Sequence, residues 1–217
     1  MIDGCTDSGS LTRLLRVIYI CGDAADSRTL EHLERLIGLG VTAVQLRLKD
    51  ADGDSLFRCA AAMARLCGNM GALFFVNDRL DIAMASGADG VHLGSRDLPV
   101  REARRIAPER FLIGATARDA ETAAAARRDG ADYIGCGAAF RSATKPDARI
   151  IGPDGIARVA SSVSIPVVGI GGIGADNATE LAGTGLSGVA VSSAFAGELG
   201  VSEAERVIEL IKGGILS

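Results

Sequence analysis

The sequence predicts a single (β/α)8 barrel, and three observations carry that prediction. Apolar strand-like runs alternate with amphipathic stretches along the whole chain, in about eight strand-then-helix units without a linker or a break in composition. Such alternation implies a parallel sheet. Helices end in glycine and lead directly into the next strand, at Gly40-Val41, Gly87-Ala88-Asp89-Gly90-Val91, Gly130-Ala131-Asp132-Tyr133-Ile134 and Gly185-Leu186-Ser187-Gly188-Val189. Glycine just past a helix takes the left-handed conformation that ends it. Finally, 217 residues hold eight such units near the short end of the barrel's size range. A doubly wound open sheet is the alternative arrangement of the same units.

In chain order, the opening MIDGCTDSGS has neither a basic segment nor an apolar core, so it is no signal peptide. It reads as a loose terminus over residues 1–10, ahead of one domain over 11–217. Strands are expected at Val17–Cys21, Ala43–Leu48, Leu73–Val76, Gly90–Leu93, Phe111–Ala115, Tyr133–Cys136, Val167–Ile170 and Gly188–Val191. The first helix, Ser27–Leu39, sets Leu30, Leu33, Leu36 and Ile37 on one side at helical spacing. Helices of the same style follow at Ser55–Asn69, Leu80–Ser86, Pro99–Ile106, Ala120–Asp129, Gly155–Ser161, Asn177–Ala182 and Ser202–Lys212.

Composition narrows the function. A formal charge of −4 and a pI near 5.3 offer no basic surface for nucleic acid or an acidic membrane. No apolar run reaches the roughly 18 residues of a membrane helix. The five cysteines are scattered without a C-x-x-C pair, which argues against a disulfide framework or a zinc site and for a reducing cytoplasm. His32 and His92 are the only histidines, too few for a histidine metal cluster.

The chemistry gathers where strands run into the following loops, the end of a barrel on which sites are built. VTAVQLRLKD (Val41–Asp50) places Gln45, Arg47 and Lys49 at alternate positions, which a strand presents on one face, with Leu46 and Leu48 on the other. An amide and two cations at the end of a buried strand are costly to desolvate unless an anion meets them, so they read as a polyanion site. Solvated charges on an edge strand are the alternative. Asn77-Asp78 follow the third strand and Ser95-Arg96-Asp97 the fourth, so adjacent units bring Asp78 and Asp97 together. Two carboxylates without histidine or thiolate suit Mg²⁺, a hard ion that prefers oxygen; helix N-capping is their other reading. Ile165–Asn177, IPVVGIGGIGADN, contains G-x-G-x-x-G, but late in the chain and without the acid that would hold a ribose after the next strand. Those glycines and the Ser192-Ser193 pair after the last strand match the phosphate site typical of a barrel. Tight turns without a ligand remain the alternative.

These motifs together, QLRLK (Gln45–Lys49), ND (Asn77–Asp78), VHLGSRD (Val91–Asp97), SATK (Ser142–Lys145), VVGIGGI (Val167–Ile173) and the final Ser192-Ser193, resemble the thiamine phosphate synthases from about Ile18 to Leu210. The resemblance implies a barrel enzyme that joins a hydroxymethylpyrimidine diphosphate to a hydroxyethylthiazole phosphate and releases pyrophosphate. It implies that Gln45, Arg47, Lys49, Asn77 and Lys145 hold the pyrimidine diphosphate, with Asp78 and Asp97 on its Mg²⁺. Thr116 stands where the family has a serine near the reacting groups, and Ser142, Thr144, Gly172, Ser192 and Ser193 would hold the thiazole phosphate. Arg47, Lys49, Lys145 and Thr116 are thus the expected catalytic set and the partners are small molecules, while the sequence leaves the oligomeric state open, a homodimer being one of the arrangements it allows. Departures are Leu48 for a glutamate, Ser95 for a glutamine, Ala138 and Ala139 for bulkier residues, and Arg141 for a proline. Arg118 replaces the histidine thought to carry protons in the sister thiazole tautomerases, and arginine is no base. The tautomerase and a non-catalytic barrel that binds thiamine phosphate or a precursor are the other readings.

Overall fold

Successive residues of a strand point to opposite sides, so a sheet covered on both faces yields two apolar layers. In the computed structural model, which describes residues 8–142, 148–197 and 199–216, both layers are present. Eight parallel strands follow one another round a closed barrel in chain order: β1 (Val17–Cys21), β2 (Ala43–Leu46), β3 (Leu73–Asn77), β4 (Gly90–Leu93), β5 (Leu112–Ala117), β6 (Tyr133–Gly137), β7 (Val167–Ile170) and β8 (Gly188–Val191). The pairing of Ile18 with Ala190 joins β1 to β8 and shuts the ring. Tyr19, Val44, Leu46, Phe74 and Val76 belong to the outer layer, with Leu33, Leu36, Leu56 and Met63 from the helices. Ile18, Ile20, Ala43, Phe75, Tyr133, Val168 and Ala190 form the separate inner cluster.

The helices are α1 (Ser8–Leu14), α2 (Ser27–Leu39), α3 (Gly53–Met70), α4 (Leu80–Ser86), α5 (Val100–Ile106), α6 (Ala120–Arg128), α7 (Gly152–Ala160) and α8 (Gly200–Leu210). Three differ in an instructive way from the sequence reading. Helix α1 begins inside the stretch read as a loose terminus, and its Leu11, with Leu15 just after it, joins the inner cluster. The stretch Asn177–Ala182 forms only a 3₁₀ turn, Ala178–Leu181. Helix α3 starts two residues early because Asp52 accepts the Ser55 amide at 2.9 Å and caps it.

The opposite end of the barrel is fastened by a repeated device. Thr42, Asp89 and Asp132 each precede a strand, donate their backbone N–H to the neighbouring strand (Val17 O, Phe74 O and Ile113 O) and accept an amide back on the side chain. Asp132 receives the Ile113 amide at 2.7 Å and also meets the Arg104 guanidinium at 2.5 Å. Gly188 is required at the start of β8, since a Cβ there would fall 1.9 Å from the Leu15 carbonyl oxygen. No helix among the described residues is long and apolar enough to cross a membrane.

Candidate active site at the carboxyl ends of the strands

Strand parity places Gln45 on β2, Asn77 on β3, His92 on β4 and Thr116 on β5 at the inward-facing positions nearest the mouth. Gln45 is 5 % exposed and donates from Nε2 to Asn77 Oδ1 at 3.2 Å. That bond leaves the Gln45 carbonyl as an acceptor and the Asn77 amide nitrogen as a donor, a paired edge suited to a heterocycle bearing both kinds of group.

Strand β2 stops at Leu46, so Arg47 and Lys49 belong to the following loop rather than to an alternating strand as the sequence suggested. Arg47 still donates its backbone N–H to Cys21 O at 2.8 Å, which continues the ladder by one bond, whereas Lys49 lies in an exposed bend. Both cations nonetheless act on Asp78. The chain therefore brings the amide and both charges to one place by a turn of the loop.

Asp78 is the single non-glycine residue with positive φ (65°) among the described residues, and its amide donates to His92 O at 2.9 Å. This αL kink carries its carboxyl beside that of Asp97. Asp97 in turn accepts the Gly94 amide at 2.7 Å, and a Cβ on Gly94 would lie 2.8 Å from that same oxygen. Burial first, then the adjacent Asp97 carboxyl and its charge, push Asp78 up to about 6, against the pull of Arg47 and Lys49. Neither aspartate caps a helix: α4 starts behind Arg79 and α5 behind Pro99, each without a side-chain cap bond. Two oxygen-only side chains in contact beside two cations form a donor set that fits a hard cation bridging to phosphate oxygens. No group of three or more His, Cys, Asp or Glu suited to a metal occurs among the described residues, so most of the shell of such an ion would be water and ligand.

The glycine loop after β7 lies on the far side of the ring. Gly172 has φ 65°, and a Cβ there would fall 2.4 Å from the Arg141 carbonyl oxygen. Asn177 accepts the Gly174 amide at 3.0 Å and donates to Gly172 O at 2.8 Å, while Glu203 accepts the Ala175 amide at 2.7 Å. The amides of Gly172, Ile173, Ser193 and Ala194 have no hydrogen-bond partner among the described residues and are the donors left for an anion. The Ser192 hydroxyl donates to Ile20 O at 3.1 Å, a bond that ties the end of β8 to β1. A helix N-terminus is replaced by the short 3₁₀ turn Ser193–Phe195. Ser142 is half-buried; Thr144 and Lys145 lie outside the described residues. Arg118 is exposed at the end of β5.

His92 is the residue that sequence reasoning passed over. Its Nε2 stands 3.0 Å from Thr116 Oγ1 and its Nδ1 3.0 Å from the Tyr133 hydroxyl. A legible sign was present: strand-interior glycines often mark a close approach. A Cβ on Gly135 would lie 2.7 Å from His92 Cε1, and one on Gly114 would lie 2.2 Å from the Tyr133 ring.

Comparison with known proteins agrees with this fold. A family model described as thiamine monophosphate synthase matches residues 17–195. A thiamine-phosphate synthase of Methanocella arvoryzae is 46% identical over 198 residues, 89% of this chain and 93% of that protein. A thiamine-phosphate synthase of Pyrococcus furiosus is 40% identical over 199 residues, covering 92% and 96% of the two chains. The solved structure of a thiamine phosphate pyrophosphorylase from Pyrococcus furiosus superposes with a TM-score of 0.86 at 37% identity, over 95% of this chain and all of that one. The chain belongs to the thiamine monophosphate synthase family.

Proposed function

We propose that this protein is a Mg²⁺-dependent thiamine phosphate synthase. It joins 4-amino-2-methyl-5-hydroxymethylpyrimidine diphosphate to 4-methyl-5-(2-hydroxyethyl)thiazole phosphate and releases pyrophosphate. The observation that carries the detailed reading is the contact between Asp78 and Asp97 under the charges of Arg47 and Lys49. A monophosphate alone would not call for such a cluster. Asp78 and Asp97 would hold the Mg²⁺, which when bound offsets the charge of the diphosphate.

The remaining steps belong to the chain's own residues. Gln45 and Asn77 orient the pyrimidine, Arg47, Lys49 and Lys145 hold the diphosphate, and Thr116 stands at the reacting carbon. Gly172, Ser193, Ser142 and Thr144 hold the thiazole phosphate, with Ser192 as the support of that loop. The C–O bond to the diphosphate breaks with its electron pair on oxygen, leaving a stabilised pyrimidinylmethyl cation. The thiazole nitrogen lone pair then forms the new C–N bond. Such chemistry requires placed charge and two reactants held close, and neither a general base nor a thiolate takes part. The same reading places the protein in the cytoplasm, as a homodimer.

The test is to mix the protein with both precursors and Mg²⁺ and follow pyrophosphate. Release that needs the thiazole phosphate and stops with EDTA supports the reading; release without thiazole phosphate would mean a hydrolase. The tautomerase reading is disfavoured because exposed Arg118 stands where that reaction is thought to use histidine, and a tautomerase has no use for the charged cluster.

A further inference from the structure

We infer that His92 is a positioning residue that, held by Tyr133, fixes the Thr116 hydroxyl as a hydrogen-bond donor to the bound pyrimidine diphosphate; this deepens, and rests on, the synthase reading. The direction of each proton follows from the deepest group upward. Tyr133 is 2 % exposed, and burial raises its phenol far above the usual range, so it keeps its proton. A buried O–H needs an acceptor, and the partner of this hydroxyl among the described residues is His92 Nδ1, at 3.0 Å. Nδ1 therefore accepts and carries no hydrogen, which makes the imidazole neutral with its proton on Nε2. Nε2–H then donates to Thr116 Oγ1 at 3.0 Å. The threonine hydroxyl cannot aim its own proton back along that bond. Half-buried at the end of β5, it offers that proton to the mouth of the barrel.

The surroundings are shaped to this pair. Strands β5 and β6 carry glycine at Gly114 and Gly135, where a side chain would strike the Tyr133 ring and the His92 ring. Phe75 packs edge-on to Tyr133 with ring centroids 5.5 Å apart and closes the floor below. An apolar side chain at position 92 would fill the same slot but leave the buried Tyr133 hydroxyl without its acceptor and the Thr116 proton unset. As the C–O bond to the diphosphate breaks, charge grows on the departing oxygen, where a fixed donor is most effective. Thr116 lends a hydrogen bond there and retains its proton, so no acid or base is consumed.

The test uses the intact protein with both precursors and Mg²⁺. His92→Leu is expected to lower kcat about tenfold, the effect of one neutral hydrogen bond, with KM for either precursor nearly unchanged. His92→Gln, whose amide N–H reaches the same place, should restore most of the loss. Thr116→Val should be as slow as His92→Leu, and the double variant no slower than Thr116→Val; losses that multiply would overturn the proposal. Should His92→Leu fail to fold, Tyr133→Phe carries the test through nitrogen NMR, in a chain with two histidines. The wild-type spectrum should show neutral His92 with hydrogen on Nε2, and the Tyr133 variant should show a mixture of tautomers. Hydrogen on Nδ1 in the wild type would overturn the proposal whatever the activity. Absence of pyrophosphate release by the wild type would sink the synthase reading, and with it the role of the threonine proton, even with the Nε2 tautomer in place.

Discussion

Asp78 and Asp97 bring their carboxyl groups together at the mouth of the barrel, one from a left-handed kink after β3 and the other from the tight turn after β4. Two acids in this position repel unless a proton or a cation lies between them. The positions of Arg47 and Lys49, both acting on Asp78, extend the pair into a cluster that can grip a diphosphate.

Arg47→Ala is expected to lower turnover by roughly 10²-fold or more, about 2.7 kcal/mol, as removal of a fixed group that stabilises developing charge does. Lys145→Ala should do the same. Steady-state release of pyrophosphate measures both, and an unimpaired Lys145 variant would count heavily against the assignment of the diphosphate site.

Cys136→Ala should leave turnover nearly unchanged. Burial pushes this thiol up to about 12, so it supplies no thiolate near neutrality, and it lies in the outer apolar layer. A loss of more than threefold in kcat would show that the thiol reaches the chemistry.

The pH dependence of stability follows from Asp78. Its folded value of about 6 lies above the ordinary 3.8, so the unfolded chain gives up this proton first as pH rises. This group therefore lowers stability progressively between about pH 4 and 6, and the penalty is constant above that. In EDTA, Asp78→Asn should raise the denaturant midpoint at pH 7.5 and change it less at pH 4.5; asparagine accepts the αL backbone. Mg²⁺ should raise the wild-type midpoint at pH 7.5 and leave that of Asp78→Asn where it was. An equal Mg²⁺ shift in both proteins would remove Asp78 from the metal site.

Gly172→Ala should weaken thiazole phosphate binding. Its φ of 65° costs an alanine roughly 1–2 kcal/mol, and the added Cβ would meet the Arg141 carbonyl at 2.4 Å, so the loop must shift. The expected result is a raised KM for thiazole phosphate with a smaller change in that for the pyrimidine diphosphate.

Asp132→Ala should destabilise the fold by about 2 kcal/mol, the range for a hydrogen bond to a charged group. Asp132 holds the Ile113 amide and the Arg104 guanidinium. Because it lies before β6, at the end of the barrel away from the site, kcat at 25 °C should not move. Chemical denaturation and steady-state kinetics on one preparation separate the two effects.

Much of the frame was written in local pattern. Val17–Cys21, Gly90–Leu93, Val167–Ile170 and Gly188–Val191 are strands with the bounds their apolar runs suggest, because a parallel strand covered on both faces has no polar side to blur it. Gly40, Gly87 and Gly130 adopt positive φ at the joints where helices stop, and Gly185 does so four residues after a 3₁₀ turn that replaces the expected helix. The end of β2 was less legible: the alternation of Gln45, Arg47 and Lys49 continues past Leu46, where the hydrogen-bonded strand does not. Helix α1 was signalled by Leu11, Leu14 and Leu15 at helical spacing, a cue masked by the polar residues before it.

The sequence by itself determined the order of the units and proposed Arg47, Lys49, Asp78 and Asp97 as charged groups at the ends of the strands, since each follows from residues a few positions apart. Tertiary structure decided the rest. It set Asp78 against Asp97, tied the Ser192 hydroxyl to Ile20, and joined Tyr133, His92 and Thr116 across three strands. Those contacts depend on the stagger between neighbouring strands of a closed ring, a property of closure that no single segment encodes.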